Sequence, residues 1–310
     1  MWPGYQYEVP KEKKIRYIIC SDAKNEADDQ FAIAHILMTE KLDVKGIIAG
    51  HFNLCGERYK AGQTTKASYD EIIKILDLMH LEGRYPVYMG STLPLKDPKT
   101  PIMSEGADFI IEEAMKDDER PLFIGMQGSV TDLASAILIK PEICERMTAI
   151  WIGGGPYPDG GDEFNLLQDI NAANILNCSC MPLWQIPKTA YCQFTTTLSE
   201  LQVRVRPYGK LGRYLFEQMM EVNRREAAQP NWPNGESWTM GDEGAAAVLL
   251  DGQERTDNYT EVPAPYINTD MSYLPCNTNR KIRVYHKMSV RMTFEDFFAK
   301  MKINFPEEDS

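Results

Sequence analysis

The sequence predicts an α/β protein with an open, mostly parallel sheet flanked by helices, in a single domain over residues 1–310. Three observations predict it. Short apolar runs rich in β-branched and aromatic residues recur at a spacing of roughly thirty residues, the length of a strand with its returning helix. Between them lie longer segments whose apolar residues keep helical spacing. No linker-like composition divides the chain and no internal repeat is present, so one domain accounts for the whole.

Residues 1–14 are polar and read as a tail or edge segment. Tyr17-Ile-Ile-Cys20 is the first strand, and Gln30 to Met38, without a breaker, is a helix buried on most sides. Asp43 to Gly50 is the second strand, ending at His51-Phe-Asn53. Residues 61–79, with Ile72, Ile73, Ile75, Leu76 and Leu78, have helical spacing, and Tyr85 to Gly90 is the third strand. After a Pro-rich loop at 93–101, Gly106 to Met115 is helical, Pro121 to Met126 is the fourth strand and Val130 to Ile139 a helix. Met147 to Ile152 is the fifth strand, running into Gly153-Gly-Gly-Pro156. Asn171 to Leu176 is helical, and Pro182 to Ile186 is the sixth strand.

Beyond residue 200 the rhythm changes. Leu211 to Arg225 is one long helix, followed by a loop with Pro230, Trp232, Pro233 and Trp238 and by a short apolar helix, Gly244 to Leu250. Residues 251–280 are rich in Asn, Thr and Pro. Lys281 to Met292 alternates like a hairpin strand, Phe294 to Met301 is a final helix, and residues 305–310 read as a tail.

A chain of 310 residues can bury a sizeable core, and 43% hydrophobic with 25% charged residues argues against disorder. The net charge of −12 argues against a nucleic-acid backbone or an anionic membrane as partner. No apolar stretch is long enough to span a bilayer. The seven cysteines, at 20, 55, 144, 178, 180, 192 and 276, form no CxxC pair and read as free thiols of a reducing compartment. The N-terminus has neither a basic nor an apolar leader region, so as written the chain reads as cytoplasmic; a signal peptide removed beforehand leaves the same picture.

In open parallel sheets, ligands bind beyond the carboxyl ends of the strands. The first strand stops at Asp22, and Glu26, Asp28 and Asp29 follow at once. Four acids between a buried strand and a buried helix repel one another unless a cation or protons intervene. The second strand ends at His51 and Asn53, the fourth at Gln127-Gly-Ser-Val-Thr-Asp132, and the fifth leads to Asp162-Glu163-Phe-Asn165. A later helix begins at Gly241-Asp242-Glu243. Taken singly, Asp28-Asp29, Thr131-Asp132 and Gly241-Asp242 also suit helix caps. Gly153-Gly-Gly, followed by Pro156-Tyr-Pro158, is unlike a phosphate-cradling loop. His35, inside a helix, reads as a satisfied core residue, whereas His51 is placed for chemistry.

These residues carry a resemblance. Asp22-Ala-Lys-Asn-Glu-Ala-Asp28-Asp29-Gln-Phe-Ala-Ile resembles the N-terminal aspartate signature of the inosine–uridine nucleoside hydrolases, in a variant with Asn-Glu inserted before the Asp-Asp pair. Asn53 sits where that family has a ribose-binding Asn. Gly128-Ser-Val-Thr131-Asp-Leu-Ala, Glu163-Phe-Asn165 with Asp169, and Gly241-Asp242-Glu-Gly-Ala-Ala are similar to its later motifs, in the same order. The likeness covers about residues 15–250.

The resemblance implies a Rossmann-like core and calcium-dependent hydrolysis of the N-glycosidic bond of ribonucleosides, in a homodimer or homotetramer. Asp22, Asp29, Asp242 and the backbone carbonyl of Thr131 are implied to bind one Ca2+, an all-oxygen set suited to a hard cation. Asp28, Asn53, Glu163 and Asn165 are implied to hydrogen-bond the ribose. Asp22 is implied to deprotonate the attacking water, and a negatively charged pocket stabilises an oxocarbenium-like transition state.

One branch of the family carries a His as leaving-group acid just before the final Asp, where this chain has Gly241. His51 is another candidate acid. Aromatic stacking on the base by Trp238 or Trp232 is a further route and favours a purine. Two other readings remain: a non-catalytic nucleoside- or sugar-binding protein, which Gly241 favours, and a magnesium phosphohydrolase. The latter lacks a cationic clamp for phosphate, since Lys24 is the lone cation at these strand ends.

Overall fold

A computed structural model describes residues 2–54, 58–60, 62–230, 232–276, 278 and 280–307. Cys55 and the last residues of the expected C-terminal tail, 308–310, lie outside the described residues. The first half of the chain alternates β1 (Ile15–Ser21), α1 (Asp29–Leu37), β2 (Leu42–Ala49), α2 (Thr64–Leu78), β3 (Val87–Met89), α3 (Glu105–Ala114), β4 (Leu122–Gln127), α4 (Thr131–Ile139) and β5 (Thr148–Ile152). There follow α5 (Phe164–Gln168), α6 (Ile170–Cys178), β6 (Leu183–Ile186), α7 (Lys188–Tyr191), β7 (Thr195–Thr197), α8 (Leu198–Arg204) and α9 (Gly209–Arg225). The chain continues through β8 (Ser237–Thr239), α10 (Gly244–Leu250), β9 (Tyr259–Pro263), β10 (Pro265–Ile267), β11 (Tyr273–Pro275), β12 (Lys281–Tyr285) and α11 (Val290–Asn304).

Eight strands form one sheet in the order β3-β2-β1-β4-β5-β6-β12-β9. Every pair from β3 to β12 is parallel, and only the edge strand β9 runs antiparallel. Side chains of β1 alternate between two cores: Tyr17 and Ile19 pack on one face, Ile18 and Cys20 on the other. This two-sided burial is why the first run is apolar without alternation. The sheet grows outward from β1 through β2 to β3, then crosses back to β4. The crevice between the carboxyl ends of β1 and β4 is therefore the topological switch point, where open α/β sheets bind ligands.

The sequence reading departs from the structure mainly after residue 250. The alternation over 281–292 is a strand only as far as Tyr285, and α11 already begins at Val290. That strand joins the parallel sheet beside β6, while its antiparallel partner β9 comes from the Asn/Thr/Pro-rich segment. The N-terminal segment is anchored as well: Trp2 is buried, and its indole Nε1 donates to the Leu37 carbonyl at 2.8 Å.

Candidate active site

A cavity of about 460 Å³ opens at the switch point, within the range of small-molecule sites. Six carboxylates line it: Asp22, Glu26, Asp28, Asp29, Glu163 and Asp242. Asp22 follows the last residue of β1, and the five residues 23–27 form the loop to Asp28, which precedes α1. Asp242 sits in a single 3-10 turn, Gly241–Glu243, ahead of α10. Its backbone N–H donates to Asp28 Oδ2 at 3.3 Å, joining the two segments directly. One carboxylate oxygen from each of Asp28, Asp29 and Asp242 lies within 4.8 Å of the others.

Burial, then the charges of Asp29, Glu26 and Asp28, hold the Asp22 carboxyl well above the usual carboxylate range. Burial and the neighbouring Asp28 charge push Asp29 up to about 8. Asp28 rises to about 6, because burial outweighs the backbone hydrogen bonds it accepts from Asp242. Glu26 rises to about 8 through burial and the charges of Asp28 and Asp29. Asp242 is raised by burial and by the same acids. The cluster thus requires protons or a cation. Asp22 Oδ2 and Gln127 Oε1, both on cavity-lining residues, are buried oxygens with no hydrogen-bond partner among the described residues. Carboxylate oxygens in a buried cluster beside unpartnered oxygens are the donors that a hard divalent cation accepts, so the residues fit such an ion.

The loop between Asp22 and Asp28 is firmly held. Lys24 Nζ lies 2.9 Å from Glu71 Oε2. Arg58 forks onto Asn25, donating to its carbonyl at 2.7 Å and its Oδ1 at 3.1 Å. Gln218 on α9 donates to the Ala27 carbonyl at 2.8 Å. Glu26 has its side chain left on the cavity wall.

Glu163 accepts from three backbone amides, Gly154 and Leu166 at 2.8 Å and Asn165 at 3.2 Å, as the N-cap of α5. Asn165 lines the cavity and donates from Nδ2 to the Ile152 carbonyl at 2.9 Å.

Four expected residues are not brought onto the cavity wall. Asn53 is turned aside: its Nδ2 donates to the Thr92 carbonyl at 2.8 Å, and its Oδ1 accepts from Thr64 Oγ1 at 2.8 Å. The Thr131 hydroxyl donates to Asp169 Oδ2 at 2.7 Å, and Asp169 caps α6. His51 is fully buried, its Nε2 2.9 Å from Thr131 Oγ1, and burial lowers its pKa to about 4. A neutral imidazole off the cavity wall is not placed to protonate a leaving group there. Trp238 is 2% exposed and packs into the core edge-on against Trp232, at 5.1 Å between ring centroids. It is Trp232 that lines the cavity.

The cavity wall also holds Gln127, from the end of the fourth strand, and four residues that motif reading passed over: Cys192, Tyr191, Lys188 and Thr239. Three of these sit just beyond β6, and inspecting that strand end as the others were inspected is the signal that finds them.

Against known proteins, the family model described as inosine-uridine preferring nucleoside hydrolase matches residues 18–293. The chain belongs to this family. Its members are hydrolases acting on N-glycosidic bonds. The chain is similar to a plant nucleoside hydrolase of solved structure, with TM-score 0.72, 15% identity, and 93% of this chain covering 98% of that one. It also resembles a purine-preferring ribonucleoside hydrolase from Gardnerella vaginalis, with TM-score 0.73, 19% identity and coverage of 92% and 98%. These likenesses show the fold. An uncharacterised protein of Schizosaccharomyces pombe is 26% identical over 155 residues, 41% of this chain, which spans 50% of that relative's length.

Proposed function

We propose that this protein hydrolyses the N-glycosidic bond of ribonucleosides to ribose and free base, with Asp22, Asp29 and Asp242 holding one Ca2+ and the Thr131 carbonyl joining them only if Thr131, off the cavity wall, turns toward the ion. The observation that carries the reading is the convergence of six carboxylates on one cavity at the switch point. Calcium bound there offsets their mutual repulsion, orients sugar hydroxyls and favours ionisation of a water. Asp22, with Oδ2 unpartnered, takes the proton of the water that attacks the anomeric carbon. As that oxygen–carbon bond forms, the bond to the base nitrogen breaks and its electron pair leaves with the base. Positive charge develops on the sugar ring among fixed carboxylates, so the transition state is stabilised more than the neutral substrate.

Asp28, Glu163 and Asn165 bind the ribose hydroxyls in this proposal, and Asn53 joins them only by releasing Thr92 and Thr64. Trp232, rather than Trp238 or His51, is assigned to the nucleobase, because it is the indole on the cavity wall. Assembly as a homodimer or homotetramer and a cytoplasmic location complete the proposal. Among the described residues no helix is long and apolar enough to cross a membrane. Release of reducing sugar from a panel of purine and pyrimidine nucleosides, with and without chelator, tests the reading, and no release from any substrate overturns it.

A second reading is favoured by Gly241, which offers no proton: a protein of the same fold that binds nucleosides without cleaving them. Calorimetry showing tight binding with no turnover is its signature.

A further inference from the structure

Gly241 stands where one branch of the family has a side chain, and the structure shows what fills the space. A Cβ added to Gly241 falls 2.9 Å from Tyr191 Cδ2, closer than a side chain tolerates, and 3.4 Å from Cγ. The backbone at Gly241 is not in the left-handed region, so the glycine answers to the Tyr191 ring and not to a turn. Tyr191 comes from α7, just past β6, and lines the cavity. Its hydroxyl donates to Glu163 Oε1 at 3.0 Å.

That bond decides the polarity of the phenol. Glu163 already accepts from three amides, and an ionised carboxylate only accepts. The Tyr191 proton therefore points to Glu163, and a phenolic oxygen whose hydrogen is engaged keeps lone pairs free to accept.

We infer that Tyr191 replaces the side chain missing at position 241 as a substrate-contacting residue, its ring walling the cavity over Gly241 and its oxygen accepting a hydrogen bond from a hydroxyl of the nucleoside sugar. This rests on the nucleoside reading above. It adds an uncharged acceptor among the carboxylates, set by the Gly241–Tyr191 pair.

The test compares wild type, Tyr191→Phe, Gly241→Ala and the double variant on ribonucleosides and their 2′-, 3′- and 5′-deoxy analogues. Tyr191→Phe keeps the ring and loses the oxygen. It is expected to raise KM about tenfold with kcat close to wild type, the loss of one hydrogen bond to a polar partner. For one deoxy analogue, lacking the hydroxyl that Tyr191 binds, Phe and Tyr enzymes should give the same KM. Gly241→Ala pushes the ring from Glu163, so it should raise KM likewise, with no further rise in the double variant. A merely structural role leaves KM unchanged, or makes the two changes additive on every analogue, and either result overturns the inference. Wild type that cleaves no nucleoside overturns the nucleoside reading and this inference with it, whereas wild-type turnover with unchanged KM in Tyr191→Phe overturns this inference alone.

Discussion

His35 Nδ1 lies 2.6 Å from Glu243 Oε2, with both side chains fully buried. The contact ties α1, which begins at Asp29, to the turn that carries Asp242. On its other edge His35 Nε2 lies 2.8 Å from Asp296 Oδ2 on α11. One imidazole thus fastens three segments behind the acid cluster. His35→Ala strips Glu243 of its partner inside the core. It is expected to cost roughly 3–5 kcal/mol of stability, as breaking a buried ion pair does. Urea denaturation read by fluorescence checks this, and a loss below about 1 kcal/mol contradicts it.

The same contact sets a pH dependence. Burial lowers the His35 pKa, but the Glu243 charge and the bonds to Asp296 and Glu243 outweigh it, and the net shift is upward from 6.5. The native state therefore holds that proton more tightly than the unfolded chain. The resulting stability is whole below pH 6.5 and fades as pH rises through the native value. Asp296, whose pKa is lowered from 3.8 despite burial by His35 and Lys300, contributes above pH 3.8. Thermal midpoints of wild type minus His35→Gln should be largest between these limits and shrink toward alkaline pH.

The cavity acids predict a stronger effect of opposite cure. Asp28 and Asp29 are raised to about 6 and about 8. In chelator-treated protein their protons are bound more tightly when folded, so stability is whole below pH 3.8 and lost as pH climbs through those values. Calcium at pH 8 should raise the thermal midpoint well above its effect at pH 5. Equal shifts at the two pH values speak against the cluster as the binding site.

Asp29→Ala should remove bound calcium and turnover together, each by at least about a hundredfold, since it deletes a charged ligand of the proposed set. Metal content by mass spectrometry, measured beside the sugar-release assay, checks it. Wild-type calcium content with wild-type turnover refutes the ligand assignment.

The two tryptophans should part company. Trp232→Ala is expected to raise KM for purine nucleosides about tenfold, the loss of a stacking partner worth roughly 1 kcal/mol or more. Trp238→Ala should instead cost roughly 3–5 kcal/mol of stability as a core truncation. Kinetics beside denaturation separates the two outcomes.

Much of this was legible from residues alone. The strand runs from Tyr17 to Ile186 are apolar because both faces of the sheet are covered, and that pattern survives any tertiary detail. The acidic loop and Asp242 could be picked out because strand ends are where such sheets place chemistry. What stayed hidden depended on direction: Asn53 and Trp238 occupy the expected positions in the chain, but their side chains are drawn to Thr92 and Trp232. Tyr191 was hidden for a different reason. Its helix is four residues long, too short for any periodicity, and its role appears only against the bare Cα of Gly241. After residue 250 the strand pairing of β9 with β12 is a long-range contact that local composition does not encode.

The direct bond from the Asp242 amide to Asp28 gives the order of biosynthesis a consequence. A ribosome delivers Asp22 to Asp29 more than two hundred residues before Asp242. Strands β2 to β8 are made in that interval, while the nascent chain carries the acids of the first loop without Asp242. In the calcium reading proposed above, the site is complete only once the Gly241–Glu243 turn has docked on α1 through the bond from the Asp242 amide to Asp28.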